Sequence, residues 1–307
     1  ALIKGASAGF NKQDYLAGKL TPVFFGSAIN NFGVREILNT LVDLAPGPGS
    51  RKAVQRQVEP QEKKFTAVVF KIQANMDPAH RDRVAFLRIC SGHFERGMKL
   101  KIVRNGKEIR TNNALSFLSQ RRDILDEAFP GDIIGLPNHG LLHLGDTLTE
   151  GEELQFTGLP FFAPEIFRMV EAADPMRNKQ LRTGLMQLGE EGAIQVFRPM
   201  SGGTMLLGAF GQLQFEVVAH RLQSEYGAEV RLLPARYTMA RWVTSEDPVA
   251  LKKFMTENNH RMAEDVVGAS VFLAAHKSEL DVAQQRWEQI EFHALREHAG
   301  LIYQTEM

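Results

Sequence analysis

The sequence predicts a multidomain α+β protein, because the residue pattern changes twice along the chain. Residues 1–47 carry short strand and helix patterns, residues 64–157 are dominated by strand patterns, and residues 158–307 alternate strands with helices. With 307 residues, of which 44% are hydrophobic and 23% charged, the chain can form two full domains and part of a third. The charged stretch between the first two regions, residues 48–63, has no periodicity and is predicted to be a linker.

The composition narrows the classes of protein to which the chain can belong. It has 36 Lys and Arg residues and 36 Asp and Glu residues, so its formal net charge of zero does not indicate a nucleic-acid binder. Cys90 is the single cysteine, which excludes a disulfide within the chain. No apolar stretch approaches the roughly 18 residues of a membrane helix, and no signal-peptide pattern is found. We therefore expect a cytoplasmic protein with no membrane partner.

The segment Thr21–Gly33, TPVFFGSAINNFG, is the most informative in the N-terminal part. Val23–Phe25 is predicted to be a buried strand that ends just before Ser27 and Ala28, and a loop and a helix follow. This arrangement resembles the last nucleotide-binding element of P-loop GTPase domains, in which a Ser-Ala step presents backbone N–H groups to the guanine ring. The resemblance implies that residues 1–47 are the C-terminal remnant of a GTPase domain and that Ser27 and Ala28 belong to its guanine loop.

The other parts of a nucleotide site are missing from the sequence. No Gly-x-x-x-x-Gly-Lys-[Ser/Thr] pattern occurs, so no loop is predicted to cradle nucleotide phosphates. Asn11-Lys12-Gln13-Asp14 spells the guanine-specificity motif, but no strand precedes it, and we interpret Asn11 as the cap of a short helix. We therefore expect no catalytic residue, no metal site and no bound cofactor in this chain.

Residues 64–157 are predicted to form a closed β-barrel. Phe65–Ile72 and Val84–Cys90 are strong strand patterns, and Asn105-Gly106 is a hairpin signal. Glycine and aspartate residues at close intervals separate further short strands up to about residue 150. Closure is favoured because a barrel leaves no long strand edge exposed.

Residues 158–307 are predicted to form an α+β domain with ferredoxin-like topology and an extension. Asp174-Pro175 marks a helix start, with Asp as the cap and Pro in the first turn. The predicted order of strand, helix, strand, strand, helix and strand ends near Leu233 and is the split βαβ arrangement. The extension, Tyr237–Phe292, adds strands and helices that echo this unit, although the sequence does not establish a repeat.

Several stretches of the last two regions resemble known families. FKIQANMDPAHRDRVAFLRICSGHFERGMKL, FPGDIIGL and LGDTL resemble the barrel, domain II, of translational GTPases. LRTGLMQLGEEGAIQVF and GAFGQLQFEVVAHRLQSEYGAEV resemble the domain that follows that barrel. Within the superfamily, FKIQANMDP, HRDRVAFLR, EEGAIQVFRP and LQFEVVAHRL are most similar to bacterial peptide chain release factors of the third type, and this likeness covers nearly the whole chain.

This resemblance implies a function in translation termination. Members of the family bind GTP or GDP with Mg²⁺ and act on the ribosome after peptide release, where they free class-1 peptide release factors. The implied partners are rRNA, ribosomal proteins and class-1 release factors, and we expect a monomer. Whether this chain is itself an enzyme is left open by the resemblance, because the family hydrolyses GTP but the P-loop and switch regions are not in this sequence. We expect the chain alone to be inactive.

Charge alone suggests where the barrel could contact rRNA phosphates. The predicted contacts are Arg81, Arg83, Arg96, Lys99 and Lys101. Two other functions stay open on the sequence: another translational GTPase, of the elongation-factor-G or ribosomal-protection type, and an RNA-binding scaffold that is not a GTPase.

Two further pairs of residues allow more than one interpretation. Glu190-Glu191 fits either a paired acid/base site or a solvated helix end, and we expect the helix end. Phe161-Phe162, with Pro164, fits an exposed docking patch or the core of a domain junction equally well.

Overall fold

The computed structural model describes residues 10–74, 83–118, 121–297 and 303–304. The chain divides into two compact units, Ala1–Gly49 and Ser50–Met307. Among the described residues, no helix has the length and apolar character needed to cross a membrane.

The first unit contains the helices α1 (Lys12–Leu16) and α2 (Val34–Leu44). The side-chain oxygen of Asn11 accepts hydrogen bonds from the backbone N–H groups of Gln13, at 2.8 Å, and Asp14, at 3.4 Å. These bonds satisfy two donors that the first turn of a helix leaves unpaired. The interpretation of Asn11 as a helix cap is therefore confirmed.

The prediction of a buried strand at Val23–Phe25 is wrong. These residues form no strand, and the side chains of Val23 and Phe25 are 76% and 87% exposed. A strand needs neighbours that take up its backbone N–H and C=O groups. Within residues 10–49, the single β-bridge joins Ser27 to Phe32. The apolar pattern is present, but no sheet accompanies it within residues 10–49.

The first half of the second unit consists of short antiparallel strands. They are β1 (Arg51–Lys52), β2 (Gln57–Val58), β3 (Thr66–Ala74), β4 (Arg83–Ser91), β5 (Phe94–Glu95), β6 (Lys99–Ile102), β7 (Glu108–Arg110), β8 (Leu115–Leu118), β9 (Arg121–Ile124), β10 (Glu127–Ala128), β11 (Ile133–Pro137) and β12 (Thr147–Thr149). Eight of them form one sheet in the order β7-β6-β12-β3-β4-β11-β8-β9, and β1–β2 and β5–β10 are separate two-stranded pairs.

The eight-stranded sheet surrounds one apolar core. Fully buried side chains from separate strands, such as Leu87, Leu100 and Ile134, belong to a single cluster. Residues near the two ends of the strand order also contribute to it, which confirms a barrel-like domain. The predicted hairpin between β6 and β7 forms, with Gly106 at φ +69° in its turn.

Residues 48–63 connect the two units along the chain, and from residue 50 onward they are folded as part of the second. Ala53 and Val58 are 3% and 0% exposed and pack in one cluster with Cys90 of β4. Arg56 forms ion pairs with Glu62, at 2.7 Å, and Glu152, at 2.9 Å. The stretch predicted to be a linker is thus packed on the barrel, because its few apolar side chains find a buried site there.

The second half of the unit alternates strands and helices. The elements are β13 (Pro160–Phe162), β14 (Ile166–Ala172), α3 (Asn178–Glu190), β15 (Gln195–Pro199), β16 (Leu206–Ala209), α4 (Gln212–Tyr226), β17 (Val230–Pro234), β18 (Met239–Thr244), α5 (Pro248–Glu257), β19 (Met262–Glu264), β20 (Ser270–Ala274), α6 (Lys277–Arg286), β21 (Glu291–His293), β22 (Leu295–Glu297) and β23 (Tyr303–Gln304). A short 3₁₀ helix, Pro175–Arg177, precedes α3, and its cap Asp174 accepts a hydrogen bond from Met176 N–H at 2.9 Å.

These elements form two consecutive units of the same topology. The first, β14-α3-β15-β16-α4-β17, has the strand order β17-β14-β16-β15, which confirms the predicted ferredoxin-like arrangement. The second, β18-α5-β19-β20-α6-β21, has the order β21-β18-β20-β19, which is the same order. The two units meet where β15 pairs with β19, through Arg198–Glu264 and Pro199–Ala263, and make one eight-stranded sheet. The predicted extension is therefore a second βαββαβ unit.

The two faces of this eight-stranded sheet pack against different elements. Separate apolar clusters lie under α3 and α4 and under α5 and α6. A third cluster, centred on Trp242 and Phe197, spans both units on the opposite face and includes Phe161 of β13. Phe161 and Pro164 are buried, whereas Phe162 is 37% exposed. Of the two interpretations of this segment, the junction core applies to Phe161 and Pro164.

Candidate functional site

The loop that follows Phe25 is closed by its own backbone. Ser27 N–H donates to Phe32 O at 2.8 Å, and Phe32 N–H donates to Ser27 O at 3.0 Å. The Ser27 hydroxyl oxygen accepts a hydrogen bond from Asn30 N–H at 3.4 Å. Gly33 has φ +73°, and a Cβ there would lie 2.5 Å from Phe25 O, so this close approach requires glycine. The loop is thus pre-formed within this unit.

The two predicted guanine-loop residues differ in the availability of their N–H groups. The Ser27 N–H is already bonded to Phe32, and its side chain is half-buried. Ala28 is exposed, and within the part of the chain that the structure describes, no acceptor is found for its N–H. The Ala28 N–H is thus the better placed of the two to meet a ligand, and the assignment of both residues stays a prediction.

The barrel residues predicted to contact rRNA differ in whether they form ion pairs within the protein. Arg81 lies outside the described residues. Three others have carboxylate partners: Arg83 with Glu190, Arg96 with Asp126, and Lys101 with Glu153. Lys99 is exposed and stands opposite Arg110 in the β6–β7 pair, and in the described structure it has no ion pair. The contact role of all five stays a prediction, with Lys99 as the freest of the described four.

A cleft of about 490 Å³ lies where the barrel meets the αβ region. Leu142 and Leu144 line it from the barrel side, and Phe161, Val266 and Val267 line it from the αβ side. Three charged residues also line it, and each has an ion-pair partner behind it: Glu190 with Arg83, Arg104 with Asp146, and Arg296 with Asp265. The sequence patterns did not reveal this cleft, because its walls come from segments far apart in the chain.

The C-terminal end of α3 is tied to both neighbours. Glu190 forms an ion pair with Arg83 of β4 at 2.7 Å. Glu191, whose side chain is 4% exposed, accepts a hydrogen bond from Arg221 of α4 at 2.9 Å. The expectation of a solvated helix end is therefore wrong. The two arginines offset the unfavourable interaction of these carboxylates with the helix dipole.

Burial changes the protonation equilibrium of Glu191. Desolvation raises the pKa of its carboxyl above the usual glutamate range, although the Arg221 guanidinium acts in the opposite direction. The nearby carboxylate of Glu225, which also binds Arg221, raises this pKa further. Burial of the ionised Glu191 carboxylate therefore destabilises the folded state. This destabilisation arises at the end of α3 that faces the barrel.

Asp265 organises the other side of the cleft. Its side chain is 2% exposed and accepts hydrogen bonds from Trp242 Nε1 at 2.9 Å and from the backbone N–H groups of Val267, at 3.0 Å, and Ala269, at 2.9 Å. Arg296 completes the set at 3.0 Å. These bonds fasten β22, near the end of the described chain, to the sheet.

Aromatic rings hold the Arg296 guanidinium in place. It lies 4.4 Å from the ring centroid of Phe161 and 5.3 Å from that of Trp242. Such stacking strengthens when the cation is shielded from water, and Arg296 is 2% exposed. The group is therefore a structural anchor of the junction.

The contacts at this junction are suited to mechanical coupling between the barrel and the αβ region. The carboxylates of Asp146, Glu191 and Asp265 each have an arginine partner. Within residues 10–74, 83–118, 121–297 and 303–304, no group of three or more His, Cys, Asp or Glu residues could hold a metal ion. The ion pair between Arg83 and Glu190 links the barrel to α3.

Two family models match the chain. Residues 64–151, the barrel, match elongation factor G domain 2. Residues 156–284, which include most of the tandem βαββαβ region, match the model of class II release factor RF3, C-terminal domain. The two matches lie next to each other and leave residues 1–63 outside both.

Similar proteins cover almost the whole chain. A peptide chain release factor 3 from Nitrosomonas eutropha is 66% identical over 304 residues, which is 99% of this chain and 57% of that protein. A peptide chain release factor 3 from Bordetella avium is 65% identical over 303 residues, which is 98% of this chain and 57% of that protein. This chain therefore spans just over half the length of the curated relatives it matches.

A solved structure is similar to most of this chain. A crystal structure of a protein from Thermus thermophilus is 25% identical, has a TM-score of 0.59, and matches over 77% of this chain and 34% of that chain. With the identity of the relatives over nearly all its length and the match to their C-terminal domain, the chain belongs to the peptide chain release factor 3 family.

Proposed function

We propose that the full-length protein acts in translation termination, where it releases class-1 peptide release factors from the ribosome in a GTP-dependent step after the peptide has left. The observation that carries this proposal is 66% identity, over 99% of the chain, to a relative named peptide chain release factor 3. The elongation factor G match of the barrel alone fits several translational GTPases. The match of residues 156–284 to the release factor C-terminal domain favours termination.

The proposed organisation follows the sequence boundaries. Residues 1–47 are the end of a GTPase domain, residues 48–63 join it to the barrel at 64–157, and residues 158–307 form the C-terminal domain. The full-length protein binds GTP or GDP with Mg²⁺, and Ser27 and Ala28 belong to the guanine loop. It is a cytoplasmic monomer whose partners are the ribosome and class-1 release factors, and this chain alone binds no nucleotide.

The junction supports a lever mechanism. A nucleotide moves domains only if it binds one arrangement better than another. Because Arg83 joins the barrel to Glu190 of α3, a displacement of the barrel carries the C-terminal region with it. In this proposal, the GTP-bound arrangement of the whole protein places the C-terminal region in a position that forces the class-1 factor to leave the ribosome.

The experiment follows a labelled class-1 release factor on ribosomes that have released their peptide. We expect the full-length protein with GTP to accelerate dissociation of the factor, and the same protein with GDP to accelerate it far less. No acceleration with GTP would contradict the proposal. If the protein instead accelerated movement of tRNA on elongating ribosomes, the elongation-factor alternative would replace it.

Ribosome contacts through the barrel are a separate part of the proposal. Lys99 carries a charge that no described carboxylate neutralises, so its phosphate contact releases a counterion without breaking an ion pair. We expect Lys99→Glu to weaken ribosome pelleting about tenfold at moderate salt and to reduce the salt dependence by about one unit. Lys101→Glu, on the same strand, is the matched control, because Lys101 is already paired with Glu153. No effect of Lys99→Glu would remove Lys99 from the interface, and equal effects of the two substitutions would mean that pairing with Glu153 does not keep Lys101 out of it.

A further inference from the structure

Two arginines line one pocket on the outer face of the barrel. Arg51 of β1 and Arg88 of β4 line one pocket of about 250 Å³, together with Phe70 and Ile133. Arg88 alternates with the core residues Leu87 and Ile89, so it points away from the barrel interior. In the described structure, no ion pair is found for either arginine.

The single thiol of the protein, Cys90, packs with Val68 and Phe156 of the pocket wall. Burial raises the pKa of Cys90 to about 11, and the charges of Arg51 and Arg88 both act to lower it. The two guanidinium groups therefore influence the same buried atom. Like charges near a low-dielectric wall repel each other, and the cost is offset when an anion binds between them.

Two neighbouring arginines differ from this pair. Arg56, five residues after Arg51, has two carboxylate partners, and Arg104 of the same barrel binds Asp146. Asp132, beside Ile133 in the chain, accepts a hydrogen bond from Phe129 N–H at 2.9 Å. Arg56 and Arg104 are thus already paired, whereas the described structure shows no carboxylate partner for Arg51 or Arg88.

The lining of the pocket indicates the chemistry of its ligand. Two guanidinium forks suit a carboxylate or a phosphate. The remaining walls are mainly apolar and comprise Val68, Phe70, Ile133, Phe156 and Leu159. The pocket volume of 250 Å³ is below the roughly 300–1,000 Å³ of ordinary small-molecule sites. The pocket is therefore large enough for one side chain and the residues next to it, but too small for a whole cofactor.

An arginine set in an apolar pocket is the arrangement of a protein-binding hot spot, whereas sequence-independent RNA sites use tracks of exposed cations along a groove. We propose that Arg51 and Arg88 bind a carboxylate of an acidic segment of a partner protein, with an apolar residue beside that carboxylate resting on Phe70 and Ile133. This inference does not depend on the proposed role in termination.

The test measures binding of a fluorescent peptide that carries Glu-Leu and Leu-Asp steps separated by Gly and Ser. A second peptide has Gln and Asn in place of the acids. We expect the acidic peptide to bind at least tenfold more tightly, and Arg51→Ala and Arg88→Ala each to weaken it about tenfold or more. Arg88→Lys, which keeps the charge but loses the planar fork, should give an intermediate affinity.

Arg96→Ala is the matched control, because Arg96 lies on the same barrel and is already paired with Asp126. It should leave peptide affinity unchanged, and thermal unfolding of each variant shows that the fold is retained. Equal binding of the two peptides, or no binding of either, overturns the proposal. So does tighter, arginine-dependent binding of polyuridine RNA that displaces the peptide.

A last arm uses the full-length protein. Arginine-dependent peptide binding by the full-length protein supports a partner site. If this chain binds the peptide and the full-length protein does not, the pocket is filled within the protein itself, and the partner-site proposal is wrong.

Discussion

Helices α2 and α5 show what an apolar pattern does and does not determine. Both carry apolar residues at helical spacing, and α2 is the more strongly amphipathic of the two. Yet Leu38 and Leu41 of α2 are 56% and 60% exposed, whereas Phe254 of α5 is fully buried. The spacing determines that a helix forms with one apolar face. Burial depends on a neighbouring surface, which α5 finds in its sheet and α2 does not find within residues 10–49.

The largest effect is expected when a side chain in each of the two helices is replaced by alanine and the two losses of stability are compared. Phe254 packs against Phe272, Trp287 and Phe292, with ring centroids 5.4–5.7 Å apart. We expect Phe254→Ala to lower the free energy of unfolding by about 3–5 kcal/mol, because it leaves a cavity among these rings. Leu41→Ala, the control in α2, should change it by less than about 0.5 kcal/mol. Denaturant unfolding followed by far-ultraviolet circular dichroism, which reports on the helices of both units, measures both changes, and similar losses would contradict the difference in burial.

The two βαββαβ units show why the first was predicted as a unit and the second was predicted without one of its strands. Both have local signals, such as the Asp174-Pro175 and Asp247-Pro248 helix starts. In the second, β19 has three residues and follows a 3₁₀ turn, so its sequence is too short for strand alternation to appear. Only its pairing with β15 and β20 identifies it.

The second comparison sets a buried ion pair against a surface one. Arg296→Ala removes the cationic partner of Asp265, whose side chain is 2% exposed, and leaves its carboxylate charge unpaired in the interior. We expect a loss of about 3 kcal/mol, because an unpaired buried charge is costly. Arg198→Ala, the matched control, breaks the more exposed pair with Glu264 and should cost less than about 1 kcal/mol. Thermal unfolding of both variants checks the order, and a larger effect of Arg198→Ala would reverse it.

The third comparison tests whether the barrel and the C-terminal region are coupled through Arg83 and Glu190. A double-mutant cycle of Arg83→Ala and Glu190→Ala should give an interaction energy of about 1 kcal/mol, since the pair is partly buried. The same cycle on Lys253 and Glu257, an exposed pair within α5, should give about 0.3 kcal/mol. An interaction energy near zero for Arg83 and Glu190 would mean that this pair does not join the two regions.

The site was harder to predict than the fold, because charge is a local property of the sequence and charge pairing is not. Arg83 and Glu190 are 107 residues apart, and nothing near Arg83 shows that its charge is neutralised. The same holds for Asp265 and Arg296. Charge alone therefore placed Arg83 and Lys99 together among the predicted rRNA contacts. In the structure, however, Arg83 forms an ion pair within the protein, and Lys99 is exposed. Helix caps such as Asn11 were predictable because donor and acceptor lie within three residues.

The smallest expected effect concerns the pH dependence of the junction. The folded-state pKa of Glu191 is raised by burial, so its contribution to stability is fully present below the unfolded pKa and is lost as pH rises through the folded value. We expect Glu191→Gln to remove this loss and to keep an acceptor for Arg221. Between about pH 4.5 and pH 7, wild-type stability should therefore fall relative to that of the variant. Glu216→Gln, which changes an exposed carboxylate on α4, controls for charge and should leave the profile unchanged. Unfolding midpoints across this range measure the difference. Parallel profiles for wild type and Glu191→Gln would mean that Arg221 offsets the burial of Glu191 completely, and that the end of α3 bears no electrostatic cost.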